Sequence, residues 1–145
     1  MKYRHENDVL GSVRLPADAY YGSETMRAYN NFQISGIKVG KELIYAYVIV
    51  KRAAASANMD IGKLDSRKGS AIIRACDAVL SGKLDESFVL DAFQAGAGTS
   101  TNMNVNEVIA NKAIEILGGK KGDKEAYKRE LLPDRESFRT YVQQD

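Results

Sequence analysis

Three stretches of this chain repeat apolar residues at the spacing of an α-helix, and glycine follows each of them. The stretches cover residues 41–60, 66–81 and 100–117. Apolar residues three and four positions apart share one helix face, and a glycine just beyond the last turn is typical of a helix end. The three stops are Gly62, Gly82 and the pair Gly118–Gly119. This pattern predicts a mainly α-helical domain whose helices pack face to face.

Apolar stripes on the first two helices define a candidate core. The stripe of the first helix is Leu43, Tyr47, Val50, Ala54 and Ala57. The stripe of the second helix is Ala71, Ile72, Ala75, Val79 and Leu80. Asp65 or Ser66 can cap the second helix, because a short polar side chain there accepts a hydrogen bond from a free backbone N–H.

The first 36 residues lack this repeat, and we predict a short β-hairpin or irregular segment at the start. A hairpin over residues 9–15 would turn at Gly11–Ser12, and Pro16 would end it. A short helix is expected over residues 23–31. Residues 88–93 form a short apolar run that periodicity assigns to neither helix nor strand.

Composition excludes several classes of function. The net charge of +2 gives no field directed at nucleic acid, and no apolar stretch reaches the ~20 residues of a membrane span. Cys76 is the one cysteine, which suits a reducing, cytoplasmic compartment. His5 is the one histidine, so a histidine-dependent nucleophilic site or a zinc site of familiar spacing is not expected. We predict no metal and no other cofactor.

The segment from Gln94 to Val108 carries the chemistry. Gly96-Ala97-Gly98 leads into the hydroxyl residues Thr99, Ser100 and Thr101 at the predicted start of the third helix. The first turn of a helix has free N–H groups and a positive dipole end, and glycines let a ligand approach the backbone. This loop is therefore a candidate seat for an anion, either carboxylate or phosphate. The alternative is that Thr99 or Ser100 only caps the helix.

Asparagines in the third helix favour the functional interpretation. They are Asn102, Asn104, Asn106 and Asn111. Together they cost the helix roughly 2 kcal/mol of propensity relative to alanine. Such local cost is expected either on a wet cleft or where the amides bond to buried polar segments. A nucleotide site is not expected, because the loop lacks both the Lys-Ser/Thr of a P-loop and the Gly-x-Gly-x-x-Gly spacing of a dinucleotide fold.

These residues resemble the aspartase/fumarase superfamily. The strongest block runs from Gly98 to Asn111, with the sequence GTSTNMNVNEVIAN. Further similarity lies at Glu6–Gly11, Pro16–Gly22, Thr25–Ala28, Asn31–Phe32, Lys51–Ala54 and Ala71–Asp77. Ala97 is similar to the aspartase version of the loop, where fumarases tend to carry serine. The resemblance covers about residues 5–119.

The resemblance implies a small helical N-terminal domain of this type and a reaction. Aspartase eliminates ammonia from L-aspartate to give fumarate, through a base that removes the Cβ proton and a carboxylate that gains charge. By resemblance, Thr99 contacts the substrate carboxylate, and Gly98 and Ser100 contribute backbone groups. Asn102 and Asn104 are implied to hold the loop from behind.

The similarity stops near Gly119, and we divide the chain into a lyase domain at 1–119 and a charged tail at 120–145, disordered or forming short helices. The tail carries seven basic and six acidic residues. The family's histidine motif, its flexible serine loop with the catalytic base and its central helices have no counterpart here. We therefore expect an N-terminal fragment with no catalytic residue of its own and no activity alone.

Two other interpretations stay open, a fumarate hydratase fragment and a non-catalytic helical interaction module. The helices at 41–60 and 100–117 would expose apolar faces in a fragment, so we also expect self-association.

Overall fold

A computed structural model describes residues 2–123 of the chain. Its elements are strands β1 (Tyr3–Asp8) and β2 (Gly11–Pro16), followed by helices α1 (Ser23–Asn31), α2 (Lys41–Asp60), α3 (Ser66–Leu80) and α4 (Thr99–Ile116). A single 3₁₀ turn at Asp85–Ser87 lies between α3 and α4. The fold is mainly helical with a short antiparallel hairpin at the start, as the sequence predicts.

The hairpin is longer than predicted and turns earlier. β1 pairs with β2 from Tyr3↔Pro16 to Asp8↔Gly11, so the turn lies at Val9–Leu10 and the prediction of a turn at Gly11–Ser12 is wrong. The Asp8 carboxylate accepts a hydrogen bond from the Leu10 N–H at 2.8 Å, and Gly11 adopts φ +109°. A side chain that bonds to the backbone two residues ahead sets such a turn even when apolar residues occupy it.

Local signals predicted the helices well. α2 begins at residue 41 and ends at 60, and α3 begins after Asp65, whose side chain accepts a hydrogen bond from the Lys68 N–H. Gly62 and Gly82 follow these two helices with φ of +71° and +80°. Glycine reaches this left-handed conformation without the cost of a Cβ, which is why it stops a helix.

Helix α4 is the centre of the domain. Its apolar residues Val105, Val108, Ile109, Ala113 and Ile114 are buried, and it packs against α1, α2 and α3. The expectation that this helix exposes an apolar face is therefore wrong. α3 lies beside it, and its predicted stripe is buried except for the partly exposed Leu80.

Helix α2 turns a different face inward from the one predicted. Its buried residues are Ile44, Val48, Lys51 and Ala55. In the predicted stripe, Leu43 and Val50 are 53% and 67% exposed. Both faces of α2 are apolar, so periodicity alone could not select the inner one.

Residues 120–123 contact earlier parts of the chain. The Lys121 ammonium donates to the Asp18 carbonyl at 2.8 Å, and the Gly122 N–H donates to the Asn111 side chain at 2.8 Å. The rest of the predicted tail, residues 124–145, lies outside the described residues. Within residues 2–123, no helix is both long and apolar enough to span a bilayer.

Candidate functional site: the glycine loop and the start of helix α4

Two consecutive side-chain hydrogen bonds hold the glycine loop, residues 96–98, in place. The Thr101 hydroxyl in the first turn of α4 donates to the Gln94 side-chain oxygen at 3.0 Å. The Gln94 amide in turn donates to the Asp91 backbone carbonyl at 2.8 Å. These two bonds fix the beginning of the loop to the helix that the loop enters.

Asp91 connects these hydrogen bonds to a second loop, at residues 34–36. Its buried carboxylate accepts bonds from the backbone N–H groups of Ile34, Ser35 and Gly36, from the Ser35 hydroxyl and from the Phe93 N–H. Burial alone would raise the pKa of Asp91, but these donors together hold it well below its ordinary value. The Asp91 carboxylate is therefore ionised, and its hydrogen bonds fix the position of the residue to which Gln94 and the glycine loop are attached. These contacts account for the conformation of the apolar run at residues 88–93. The run is neither helix nor strand, and its Asp91 forms an isolated β-bridge with Lys38.

The first turn of α4 is open. Gly98 is the residue before the helix, with φ +74°, and no side chain caps the turn. The Asn102 N–H bonds to the Gly98 carbonyl at 3.1 Å, which begins the helical ladder. The N–H groups of Thr99, Ser100 and Thr101 precede that bond and have no acceptor within the helix. The interpretation of Thr99 or Ser100 as a mere cap is therefore wrong.

At the starts of two other helices, a side-chain carboxylate accepts hydrogen bonds from the backbone N–H groups of the first turn. The Glu107 carboxylate accepts bonds from the N–H groups of Gly22, Glu24 and Thr25 at the start of α1. Asp65 caps α3. Helix α2 also begins without a side-chain cap, at Gly40, but it carries Glu42 in its first turn, which opposes an incoming anion. The first turn of α4 has no acidic residue.

The structure brings the three predicted contact residues together on this turn. Thr99 is exposed, and Gly98 and Ser100 are partly exposed. The Thr99 hydroxyl makes no hydrogen bond to any residue between 2 and 123. A carboxylate that approaches along the helix axis meets backbone N–H groups, a hydroxyl and the positive end of the helix dipole.

The two asparagines expected behind the loop have separate partners. The Asn102 side-chain oxygen accepts a bond from the Lys51 ammonium at 2.7 Å. The Asn104 amide donates to the Ser87 carbonyl at 3.1 Å, in the 3₁₀ turn and not in the glycine loop. Asn111 bonds to the Tyr20 carbonyl and to the Gly122 N–H, so two of the four asparagines, Asn104 and Asn111, serve backbone groups, one of the two expected uses.

Sequence reasoning missed Lys51, which brings a positive charge to the first turn of α4. Its side chain is only 8% exposed, and burial lowers its pKa to about 8. Its neighbour one turn earlier, Tyr47, lies against the loop, since a Cβ added to Gly98 would lie 3.4 Å from the Tyr47 hydroxyl. The sequence signal for a buried Lys51 was its helical spacing from Ile44, Val48 and Ala55, which lie on the same face of α2.

Metal-binding chemistry is not evident around this site. No group of three or more His, Cys, Asp or Glu side chains in residues 2–123 has the arrangement to hold a metal ion. Cys76 is buried, and burial raises the pKa of its thiol to about 12, so the neutral thiol serves as core. The donors at the start of α4 are amides and hydroxyls, which suit an anion.

Comparison with known proteins identifies the class. A protein-family model described as Lyase matches residues 11–131. The chain is 52% identical to a class II fumarate hydratase of Halobacterium salinarum and 53% identical to an aspartate ammonia-lyase of Bacillus subtilis, over 84% of this chain and 26% of each relative. Among solved structures, a fumarate lyase:delta crystallin of Brucella melitensis bound to cobalt superposes with a TM-score of 0.84 at 43% identity, covering 97% of this chain and 29% of that one. A class II fumarase of Schistosoma mansoni superposes with a TM-score of 0.80 at 35% identity, over 83% of this chain and 26% of that one.

The mainly helical fold of this chain is thus shared with solved structures of lyases. The chain belongs to the lyase family that contains the class II fumarate hydratases and the aspartate ammonia-lyases. It spans about a quarter of the length of those relatives.

Proposed function

We propose that this chain supplies a carboxylate-binding loop to a lyase of the aspartase/fumarase type. The open first turn of α4 carries the proposal, because it is free of acidic residues and presents Thr99 and Ser100 to solvent. The ligand is a small dicarboxylate. Its carboxylate accepts bonds from the N–H groups of Thr99–Thr101 and from the Thr99 hydroxyl.

These donors suit an elimination through a carbanion. Removal of a proton next to a carboxylate places negative charge on the carboxylate oxygens. Donors already fixed in position stabilise that charge without reorganising at the moment of reaction. The hydrogen bonds from Thr101 to Gln94 and from Gln94 to Asp91 provide this rigidity.

The reaction we favour is the release of ammonia from L-aspartate to give fumarate. The support is Ala97 in the loop, which offers no hydroxyl beside the first turn of α4. Hydration of fumarate is the second candidate, because relatives with either name are about equally similar to this chain. Fumarate is common to both reactions and is the ligand to test first.

The remaining catalytic groups lie outside this chain in the proposal. We assign no catalytic base to it and expect no turnover from this polypeptide alone. The single buried thiol supports a cytoplasmic location, which remains a proposal as well.

Titration of the ¹⁵N-labelled full chain with fumarate tests the loop. We expect amide shifts at residues 98–101, with a dissociation constant of roughly millimolar order for so small a ligand. Thr99→Val should weaken binding several-fold. Ser66→Ala is the matched control, since Ser66 is the first residue of α3 as Thr99 is of α4, and Asp65 already caps α3. Saturating fumarate without shifts at 98–101, or equal affinity in Thr99→Val, would refute the proposal.

The choice between the two reactions is tested in a full-length lyase that carries residues 2–123 of this chain as its N-terminal region. Release of ammonia from L-aspartate supports the first reaction, and formation of L-malate from fumarate supports the second.

A further inference from the structure

Helix α2 brings a tyrosine hydroxyl to the open first turn of α4. A Cβ placed on Gly98, the residue directly before α4, would lie 3.4 Å from the Tyr47 hydroxyl oxygen. Because glycine has no side chain, Gly98 itself puts nothing between its backbone and that oxygen. The Tyr47 hydroxyl therefore lies at the edge of the turn whose N–H groups have no acceptor within the helix.

The Tyr47 hydroxyl makes no hydrogen bond to any residue between 2 and 123. Tyr45, two residues earlier on α2, differs in this respect, because its hydroxyl donates to the Asp85 carboxylate at 2.9 Å. The Tyr47 side chain is partly buried, and its ring packs against the hydrophobic core. A tyrosine hydroxyl in such a place usually has a hydrogen-bond partner. The fold thus holds a donor in a fixed position beside the glycine loop and supplies no acceptor for it there.

A buried ammonium group lies close to this tyrosine. Lys51 follows Tyr47 by one helical turn, and its Nζ lies 5.9 Å from the centroid of the Tyr47 ring. The same Nζ donates to the Asn102 side-chain oxygen of α4 at 2.7 Å. A positive charge here favours an anion over a neutral molecule, and no acidic residue in the first turn of α4 opposes it. Helix α2 therefore adds both a donor and a charge to one side of the turn.

We propose that Tyr47 is a further binding residue of the carboxylate site, through a hydrogen bond from its hydroxyl to the carboxylate at the first turn of α4. This inference rests on the proposed function and adds to it a contact that the glycine loop does not provide. The carboxylate then accepts hydrogen bonds from two helices. Thr99 and the free N–H groups donate from α4, and Tyr47 donates from α2.

The surroundings of the Tyr47 hydroxyl set the size of the expected effect. A hydrogen bond to a charged acceptor is stronger than one between neutral groups. Tyr47 is only partly buried, so water replaces part of that bond when the hydroxyl is removed. We therefore expect the loss of this hydroxyl to weaken carboxylate binding by about five- to tenfold.

Titration of the ¹⁵N-labelled full chain with fumarate, followed at the amides of residues 98–101, tests the proposal. Tyr47→Phe removes only the hydroxyl and should raise the dissociation constant by about five- to tenfold. It should leave the thermal unfolding midpoint unchanged, because this hydroxyl has no partner in residues 2–123. Tyr45→Phe is the matched control, since it makes the same change on the same helix but breaks the bond to Asp85. It should lower the unfolding midpoint and leave fumarate affinity unchanged.

A second measurement uses the unmodified chain labelled with ¹³C at tyrosine. Fumarate should shift the ring signals of Tyr47 and leave those of Tyr45 in place. Unmoved Tyr47 signals, or equal fumarate affinity in Tyr47→Phe and the unmodified chain, overturn the proposal. An equal loss of affinity in Tyr45→Phe also overturns it, because the cause would then be the packing of α2 and not the hydroxyl.

Thr99→Val separates this inference from the proposed function. If Thr99→Val weakens fumarate binding and Tyr47→Phe does not, the carboxylate loop stands and Tyr47 is not part of it. If fumarate shifts none of the amides of residues 98–101 in the unmodified chain, both proposals fail.

Discussion

The carboxylate of Glu107, in the middle of α4, accepts a hydrogen bond at 2.8 Å from the backbone N–H of Gly22, 85 residues earlier in the chain. The same carboxylate bonds to the N–H groups of Glu24 and Thr25, and Glu6 bonds to Ser23. Burial raises the pKa of Glu107, and the donors at the start of α1 oppose that rise. The fold thus fills one helix start with its own carboxylates and leaves the start of α4 open.

Replacing Glu107 with glutamine should destabilise the domain. An amide in this position turns an NH₂ group toward backbone donors and loses the charge-assisted bonds, a cost of about 2–3 kcal/mol. Urea unfolding measures the change. Glu86→Gln, at an exposed position of the 3₁₀ turn, is the control and should change stability by less than about 0.5 kcal/mol. Equal stability of the two variants would mean that α1 is not held by Glu107.

The glycine loop offers a paired test at Gly98 and Gly96. Gly98 has φ +74°, so Gly98→Ala should cost about 1–2 kcal/mol of stability and weaken fumarate binding by tilting the first turn of α4. A Cβ at Gly96 meets nothing within 4 Å, and its φ lies outside the left-handed region, so Gly96→Ala should change neither property much. Thermal unfolding and the fumarate titration measure both effects. Weaker binding in Gly96→Ala than in Gly98→Ala would contradict the geometry.

Helices and their ends were predictable because their signals are local. Asp65 caps α3 from one residue before it, and Gly62 ends α2 from two residues beyond it. The hairpin turn was missed because its determinant is a carboxylate, Asp8, and not a glycine pair. Asp8 is held in turn by Arg27, whose guanidinium lowers the pKa of Asp8 to about 2.

The part of the site that the sequence did not predict depends on contacts between segments that are distant in the chain. The glycine loop and the start of α4 were predictable from one continuous segment. Lys51 was not, because its place beside Asn102 depends on how α2 rotates against α4. That rotation was ambiguous, since α2 is apolar on two faces.

The packing of α2 on α3 gives a third prediction, at Gly69. A Cβ at this buried helix position would overlap the Met59 sulfur. Gly69→Ala gains about 1 kcal/mol of helix propensity but should lose more, about 1–3 kcal/mol, to overpacking. In a Met59→Ala background only Leu64 Cδ2, at 3.2 Å, stays close to the added Cβ, so the same change should cost less or become stabilising. Urea unfolding of the four chains measures the coupling, and additive effects would contradict a direct contact.

Lys51 gives the fourth prediction, on pH. Burial lowers its pKa from 10.5 to about 8, so between these values the unfolded chain holds a proton that the folded chain has released. Stability from this group therefore rises as pH increases from about 8 toward 10.5, by on the order of 3 kcal/mol in total. The Cys76 thiol acts in the opposite direction, because its pKa is raised to about 12 and its unfolded form ionises first. Lys51→Met keeps Cys76 and removes the ammonium, so urea unfolding of both chains at pH 7.0 to 10 isolates the lysine. The unmodified chain should gain stability relative to Lys51→Met as pH rises, and a constant difference would show that Lys51 keeps an ordinary pKa in the fold.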